Sequence, residues 1–228
     1  MTRILNTQMR AYIQDKLDAG NESQLKWKGG NGDILDLALL DPDYGNSAST
    51  SELVDQLKTF FFAGHDTTAS TLSWSYYFLS HHPHELLRLR QELDEVFGIN
   101  TTPSEVAKKL IDDPKLHTKL DFTLAIIKES LRLEPPAAPA REAIPNYQFK
   151  TTSGKAFYPP DGTMIYISAW MLHRNPRVWG DDAGEFKPDR FMPGNPLPWG
   201  YIAFSKRPRD CIGSNLAYLE VLYLVKLY

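Results

Sequence analysis

A single cysteine, Cys211, stands among 228 residues. An intrachain disulfide and a cysteine-built zinc site are therefore both excluded. No apolar run reaches the roughly 18 residues that mark a membrane-spanning helix. The first 16 residues are polar and amphipathic and lack the apolar stretch of a secretory signal. Neither sign of charge dominates. Lys and Arg number 25 against 28 Asp and Glu, a net of −3, which gives nucleic acid or an anionic membrane little to hold. Gly29-Gly30-Asn31-Gly32 lacks the Lys-Ser/Thr that would follow in a phosphate-binding loop. Basic and aromatic residues do not interleave, so nucleic acid is not an expected partner. What remains is ordinary globular composition: 42% hydrophobic and 23% charged, which excludes disorder and collagen-like repeats. The length suits one large domain or two small ones.

The 16 prolines concentrate after position 134, so the two halves are expected to be built differently. The first half reads as helices. Residues 1–18 form one, followed by a loop over Gly20–Gly32, a short apolar stretch at Ile34–Leu40 and a second loop over Asp41–Ser49. Ser49 and Glu52 match a capping box, predicting a long helix over 51–81 that ends before Pro83. A helix over 83–97 should end near Gly98, and another covers Asp121–Leu133 before Pro135-Pro136. The second half reads as short β segments, Ala143–Phe149 and Thr163–Ala169, with a turn at Pro159-Pro160-Asp161-Gly162. Residues 175–200 read as irregular coil, a length that is uncommon unless functional. A last helix follows Cys211, with Leu216, Leu219, Tyr223 and Leu227 as its apolar stripe. An apolar helix that runs to the last residue is expected of a fragment. The class is mainly α with small β elements.

Four segments can carry chemistry. Cys211 lies just ahead of a helix, where N–H groups and the helix dipole favour a thiolate. That sulfur can serve as nucleophile, redox thiol or metal ligand, or it can be an inert buried side chain. In the long helix, Leu57, Phe60, Gly64, Thr67 and Thr71 share a face that changes from bulky to small and hydroxylic. Gly64 can mark close approach by another group, and the Asp66-Thr67 pair can open the helix to hold a water. The bland alternative is a tolerated glycine beside a solvated aspartate. Glu129 and Arg132 are spaced to pair on an inward stripe with Phe122 and Ile126. A buried pair needs a further partner, and Arg190, in Phe186-Lys-Pro-Asp-Arg190-Phe191, is the candidate. His81, His82 and His84 read as a helix-end cluster rather than a metal site.

In order and spacing these segments resemble the cytochrome P-450 family of haem-thiolate monooxygenases. Ala63–Thr68 is similar to the oxygen-activation motif, Glu129-Ser-Leu-Arg132 to the Glu-x-x-Arg motif, and Phe186–Phe191 to the segment that follows it. Phe204–Gly213 resembles the thiolate loop. His173-Arg-Asn-Pro and Tyr158-Pro-Pro-Asp-Gly also read like this family. The resemblance runs over about 50–228. It implies the C-terminal half of the P-450 fold, residues 1–228 being a single partial domain: 1–50 before the long helix, 51–133 helical, 134–228 β and coil with the thiolate loop and final helix.

The resemblance also implies heme b (iron protoporphyrin IX) with Cys211 as its axial ligand. Arg209 and Arg141 would contact the propionates, and Phe204 and Gly213 would belong to the ligand loop. Asp66 and Thr67 would deliver protons, with Gly64 making room for oxygen. Glu129, Arg132 and Arg190 would form a structural network behind the loop. Dioxygen, a small lipophilic or secondary-metabolite substrate and an NADPH-dependent reductase are the implied partners, and the motif style is eukaryotic, with a fungal leaning. Full-length members are expected at the endoplasmic reticulum membrane; this chain, read as lacking the N-terminal anchor, is expected in the cytoplasm or at a location the sequence leaves open. A non-catalytic remnant that holds haem weakly or not at all is the alternative. Arg207 stands where the family places glycine, and a Cβ held at positive φ there would cost roughly 1–2 kcal/mol.

Overall fold

The computed structural model describes residues 2–19, 32–41, 49–151 and 153–226. Most of the two loops expected over Gly20–Gly32 and Asp41–Ser49 lies outside the described residues. The chain forms two compact units, Met1–Asp66 and Thr67–Tyr228.

The first unit contains α1 (Thr2–Ala19), α2 (Ile34–Leu40) and the opening turns of α3 (Thr50–His81). The apolar stretch at 34–40 becomes a helix because Asp33 caps it. The Asp33 carboxylate accepts from Leu35 N and Asp36 N, while Asp33 N donates back to Asp36. Lys16 of α1 reaches Asp33 at 2.8 Å and Asp36 at 2.6 Å. Ile13, Leu35, Leu53 and Val54 make this unit's small core. The capping box at α3 is present, with Glu52 N donating to Ser49 Oγ and Ser49 N to Glu52 Oε2.

The second unit takes the rest of α3 and then α4 (Pro83–Phe97), α5 (Pro103–Asp112), a 3-10 turn (Pro114–Lys119) and α6 (Asp121–Leu133). The sequence reading missed α5, although Thr102 and Glu105 form a capping box ahead of it and Pro103 sits at its first position. The central element is α6. Its residues are buried on nearly every side, Thr123, Glu129, Ser130 and Arg132 among them, so this helix can be buried only where those polar groups find partners. Around it Leu79, Leu89, Phe97, Ile126, Ile127 and Val221 form the main core.

Two small antiparallel ladders follow: β1 (Ala140–Glu142) with β4 (Met164–Tyr166), and β2 (Phe149–Lys150) with β3 (Ala156–Phe157). This corrects the expected strand bounds. Ala143–Gln148 is not a strand, because Asn146 adopts φ +62° and Tyr147 N donates to Ile144 O in a turn. The other expected segment stops at Tyr166, and Ser168 caps a helix through Met171 N. The turn at 159–162 is present, with Gly162 at φ +75°.

The expected coil over 175–200 holds two short helical pieces. After α7 (Ala169–His173) come α8 (Pro176–Trp179) and a 3-10 turn (Pro188–Phe191). The final helix, α9, spans Ser214–Lys226. Its expected apolar stripe is corrected: Leu216 is 62% exposed, while Val221 and Leu222 are buried, and Leu227 lies outside the described residues. No helix among the described residues is long and apolar enough to cross a membrane.

Candidate functional site

The centre of the second unit is an ion pair with no exposure to solvent. Glu129 and Arg132 are both 0% exposed. The carboxylate accepts from Arg132 Nε at 2.6 Å and Nη2 at 2.8 Å, a fork-to-fork pair. Burying two such charges is costly unless every remaining donor is satisfied. Here Arg132 Nη1 also donates to His173 O (2.7 Å) and Ala183 O (2.6 Å), and Nη2 to Glu185 O (2.9 Å). All five guanidinium N–H groups are thus used. Glu129 Oε1 further accepts from Lys187 N at 2.8 Å.

His173 O is the last carbonyl of α7, and the partners at Ala183, Glu185 and Lys187 are main-chain groups of the long coil. This is why so long an irregular segment is tolerated: its buried carbonyls end on a guanidinium rather than on nothing. Arg190 joins from the same coil. Its Nε lies 3.6 Å from Glu129 Oε1, and its two terminal nitrogens donate to Trp179 O (3.2 Å) and Asp182 O (2.6 Å). Arg190 also pairs with the Asp182 carboxylate at 2.8 Å. Hydrogen bonds from Lys187, then Arg190, hold that carboxyl down to about 2.

His173 and Tyr201 belong to this centre, and the sequence reading assigned neither a role. His173 is fully buried. Its Nδ1 lies 2.9 Å from Arg132 O, and its Nε2 accepts from Ile202 N at 2.9 Å. A carbonyl only accepts and a backbone N–H only donates, so the proton sits on Nδ1 and Nε2 is bare. Burial, reinforced by the charges of Arg132 and Arg174, lowers the ring to about 4 despite the favourable Arg132 carbonyl. Tyr201 stacks on His173 with ring centres 5.4 Å apart. Its hydroxyl donates to Lys128 O at 3.3 Å. Gly200 immediately precedes Tyr201, and a Cβ there would meet Val178 Cγ1 at 2.8 Å, so a side chain would force Val178 to shift.

From Ile202 the chain enters the loop that ends at Cys211. Cys211 N donates to Phe204 O at 2.9 Å, closing the loop, and the Phe204 ring packs on Tyr218 of α9 with centres 4.9 Å apart. Cys211 is exposed and stands three residues ahead of α9. A Cβ on Gly213 would lie 3.8 Å from its Sγ. Arg207 corrects an expectation. Among the described residues the positive φ in this loop belongs to Ser205, at +63°, not to Arg207, and the Arg207 side chain is 92% exposed. The strain predicted for an arginine at that position is absent.

The remaining predicted residues are placed less closely. Arg209 is exposed in the same loop, and Arg141 is exposed on β1, donating to its own strand at Ala140 O. In α3, Gly64 and Asp66 are exposed and Thr67 is half-buried. The helix runs unbroken through them, so the expected local opening is not present. A Cβ on Gly64 would meet nothing within 4 Å. Beyond Thr67, Thr68 donates to Glu220 of α9 at 3.3 Å, tying the second part of α3 to the helix behind Cys211.

Among the described residues no three His, Cys, Asp or Glu side chains could together hold a bare metal ion. The histidines at the end of α3 instead turn to local carbonyls, His81 to Tyr77 O and His82 to Phe78 O. One exposed thiol can complete the sphere only of a metal that brings its other ligands with it.

Known proteins agree on one family. The family profile described as Cytochrome P450 matches residues 2–227. Cytochrome P450 monooxygenase polC of Polytolypa hystricis is 36% identical over 177 residues, 75% of this chain and 31% of that protein. Cytokinin hydroxylase of Arabidopsis thaliana is 38% identical over 74% of this chain and 30% of its own length. Mouse Cytochrome P450 4V2 is 37% identical over 82% and 34%. The crystal structure of a Cytochrome P450 (CYP102L1) superposes with a TM-score of 0.76 at 25% identity, covering 98% of this chain and 47% of that one. The matched part spans about a third of the curated relatives' length.

Proposed function

The chain belongs to the cytochrome P450 family, and on that premise we propose that it forms the thiolate side of a haem monooxygenase, with residues 1–228 part of a single P450 domain. The observation that carries this reading is Cys211, an exposed and solitary thiol. Its loop closes on Phe204 O and starts beside a fully satisfied buried ion pair. A lone thiolate fits an iron already held by a porphyrin, and heme b is the group proposed.

Haem held there would supply the activation of dioxygen and the transfer of one oxygen atom to an organic substrate, with the thiolate of Cys211 donating electron density to the iron. The chain's own residues do the rest. Cys211 Sγ binds iron. Arg209 and Arg141, both exposed guanidinium groups, hold the propionates. Phe204 and Gly213 shape the loop around the sulfur. Asp66 and Thr67 move protons along α3, and Gly64, with open space where its Cβ would be, leaves room for a diatomic molecule. Glu129, Arg132 and Arg190 hold the coil that supports the loop. The proposed substrate is small and organic, lipophilic or a secondary metabolite; the plant relative named a cytokinin hydroxylase supports a small organic one. Electrons come from an NADPH-dependent reductase, and the complete enzyme works at the endoplasmic reticulum membrane.

The test is the absorbance spectrum of the purified chain loaded with haem, reduced and exposed to carbon monoxide. A thiolate-type Soret band is expected, and Cys211→Ser should abolish it. A band that survives the substitution refutes the ligand assignment. Free-haem behaviour of the unaltered chain would instead favour a haem-free remnant.

A further inference from the structure

We propose that His173 is a positioning residue for the Cys211 loop, transmitting the placement of the buried Glu129–Arg132 pair to Ile202 through a fixed neutral tautomer. The proposal extends the haem-thiolate reading, but its geometry stands without haem.

The path is short and each step is a single contact. Arg132 is held by Glu129 and by three carbonyls. One of those carbonyls is that of His173 itself, and the His173 ring in turn donates from Nδ1 to Arg132 O. Two residues 41 positions apart therefore hold each other by a reciprocal pair of hydrogen bonds. This leaves Nε2 with one possible job, accepting from Ile202 N at 2.9 Å. Ile202 O then accepts from Ser205 N at 2.9 Å, at the left-handed residue that turns the loop. Phe204 O, two residues past Ile202, receives the Cys211 N–H.

Three features make His173 suited to this and other residues unsuited. The site needs one donor and one acceptor at opposite ends of a rigid ring, which only neutral imidazole provides. The ring is one of three in mutual contact: Tyr201 stacks on it at 5.4 Å, Trp179 meets it edge-on at 6.1 Å, and those two rings lie 6.3 Å from each other. The groups facing it are Arg132 from α6 and Arg174 next in its own chain. Both are cations that oppose a second proton on the ring. The Ile202 bond is therefore kept over the ordinary working range of pH.

The experiment compares the full chain with His173→Phe and His173→Gln. Phenylalanine keeps the stack on Tyr201 and loses both hydrogen bonds; glutamine retains an acceptor. Amide hydrogen exchange of the haem-free chain is the first readout. In His173→Phe the Ile202 amide should exchange about tenfold faster, as for one lost buried hydrogen bond, with amides in the middle of α6 changed less than twofold. His173→Gln should recover part of the protection. The second readout is the reduced carbon monoxide spectrum of the haem-loaded proteins. The thiolate-type fraction should fall in His173→Phe and return in part in His173→Gln. Unchanged exchange at Ile202 overturns the proposal, and so does equal acceleration throughout α6, which is general loosening. If His173→Phe does not fold, His173→Leu, which likewise has neither donor nor acceptor, is read in its place by the same criteria. A chain that never gives a thiolate band fails the haem reading alone, because the Ile202 rates are read without haem.

Discussion

At the scale of single residues, the chemistry rests on charges removed from water. The Glu129–Arg132 pair is stabilising only because its hydrogen-bonding capacity is filled. Removing one partner leaves the other charge buried and alone, the most damaging kind of substitution. Glu129→Ala should lower unfolding free energy by about 3–5 kcal/mol, measured as a shift in the urea midpoint at unchanged slope. A loss below about 1 kcal/mol would mean that the pair is solvated in solution. The i, i+3 spacing made this pair legible in the sequence. His173 was not legible in that way. Its partners are a carbonyl and an N–H, and backbone groups leave no mark on residue types.

Among elements, α6 shows a helix terminus completed from elsewhere. Its N-cap residue, Leu120, has no side chain able to cap. Glu92 of α4 does so instead, accepting from Phe122 N at 2.6 Å, Thr123 N at 2.8 Å and Thr123 Oγ1 at 2.5 Å. A carboxylate at a helix N-terminus also meets the favourable end of its dipole. Thr123 is fully buried and Phe122 nearly so, so these donors have no water to turn to. Glu92→Ala should therefore cost about 1–2 kcal/mol in chemical denaturation followed by far-UV circular dichroism, and Glu92→Gln clearly less. Equal costs for the two would show that packing rather than capping is at stake. The local caps at Ser49 and Thr102 could be read from four consecutive residues. This one could not, because cap and helix are 30 positions apart.

For the whole molecule, the buried imidazole sets the acid side of the stability profile. His173 titrates near 4 when folded and near 6.5 when unfolded. Between those values the unfolded chain binds the proton and the folded chain does not, so stability falls as pH is lowered. The contribution is complete above 6.5 and is lost by about 4, a change of roughly 3 kcal/mol. A second decline follows below about 4. Asp33, held near 2 by Lys16 and Tyr12 against the opposing effect of burial, and Asp182 must then take up protons. Urea midpoints between pH 4 and 8 should show the first stage, and His173→Gln should flatten it. A profile that is level from 8 down to 5 in the unaltered chain would refute the buried neutral ring.

What the amino-acid order settled alone was whatever is written in near neighbours. Helix periodicity, proline stops, the Ser49 cap, the Glu129–Arg132 spacing and the place of Cys211 ahead of a helix are all of this kind. Each depends on side chains within one or two turns of each other. Folding alone decided which backbone groups fill the guanidinium of Arg132, which residue caps α6, which face of α9 is buried and which loop residue turns left-handed. The first two of those outcomes depend on atoms 30 to 53 positions apart competing for the same buried hydrogen bonds, and such competition is resolved only when the chain is packed.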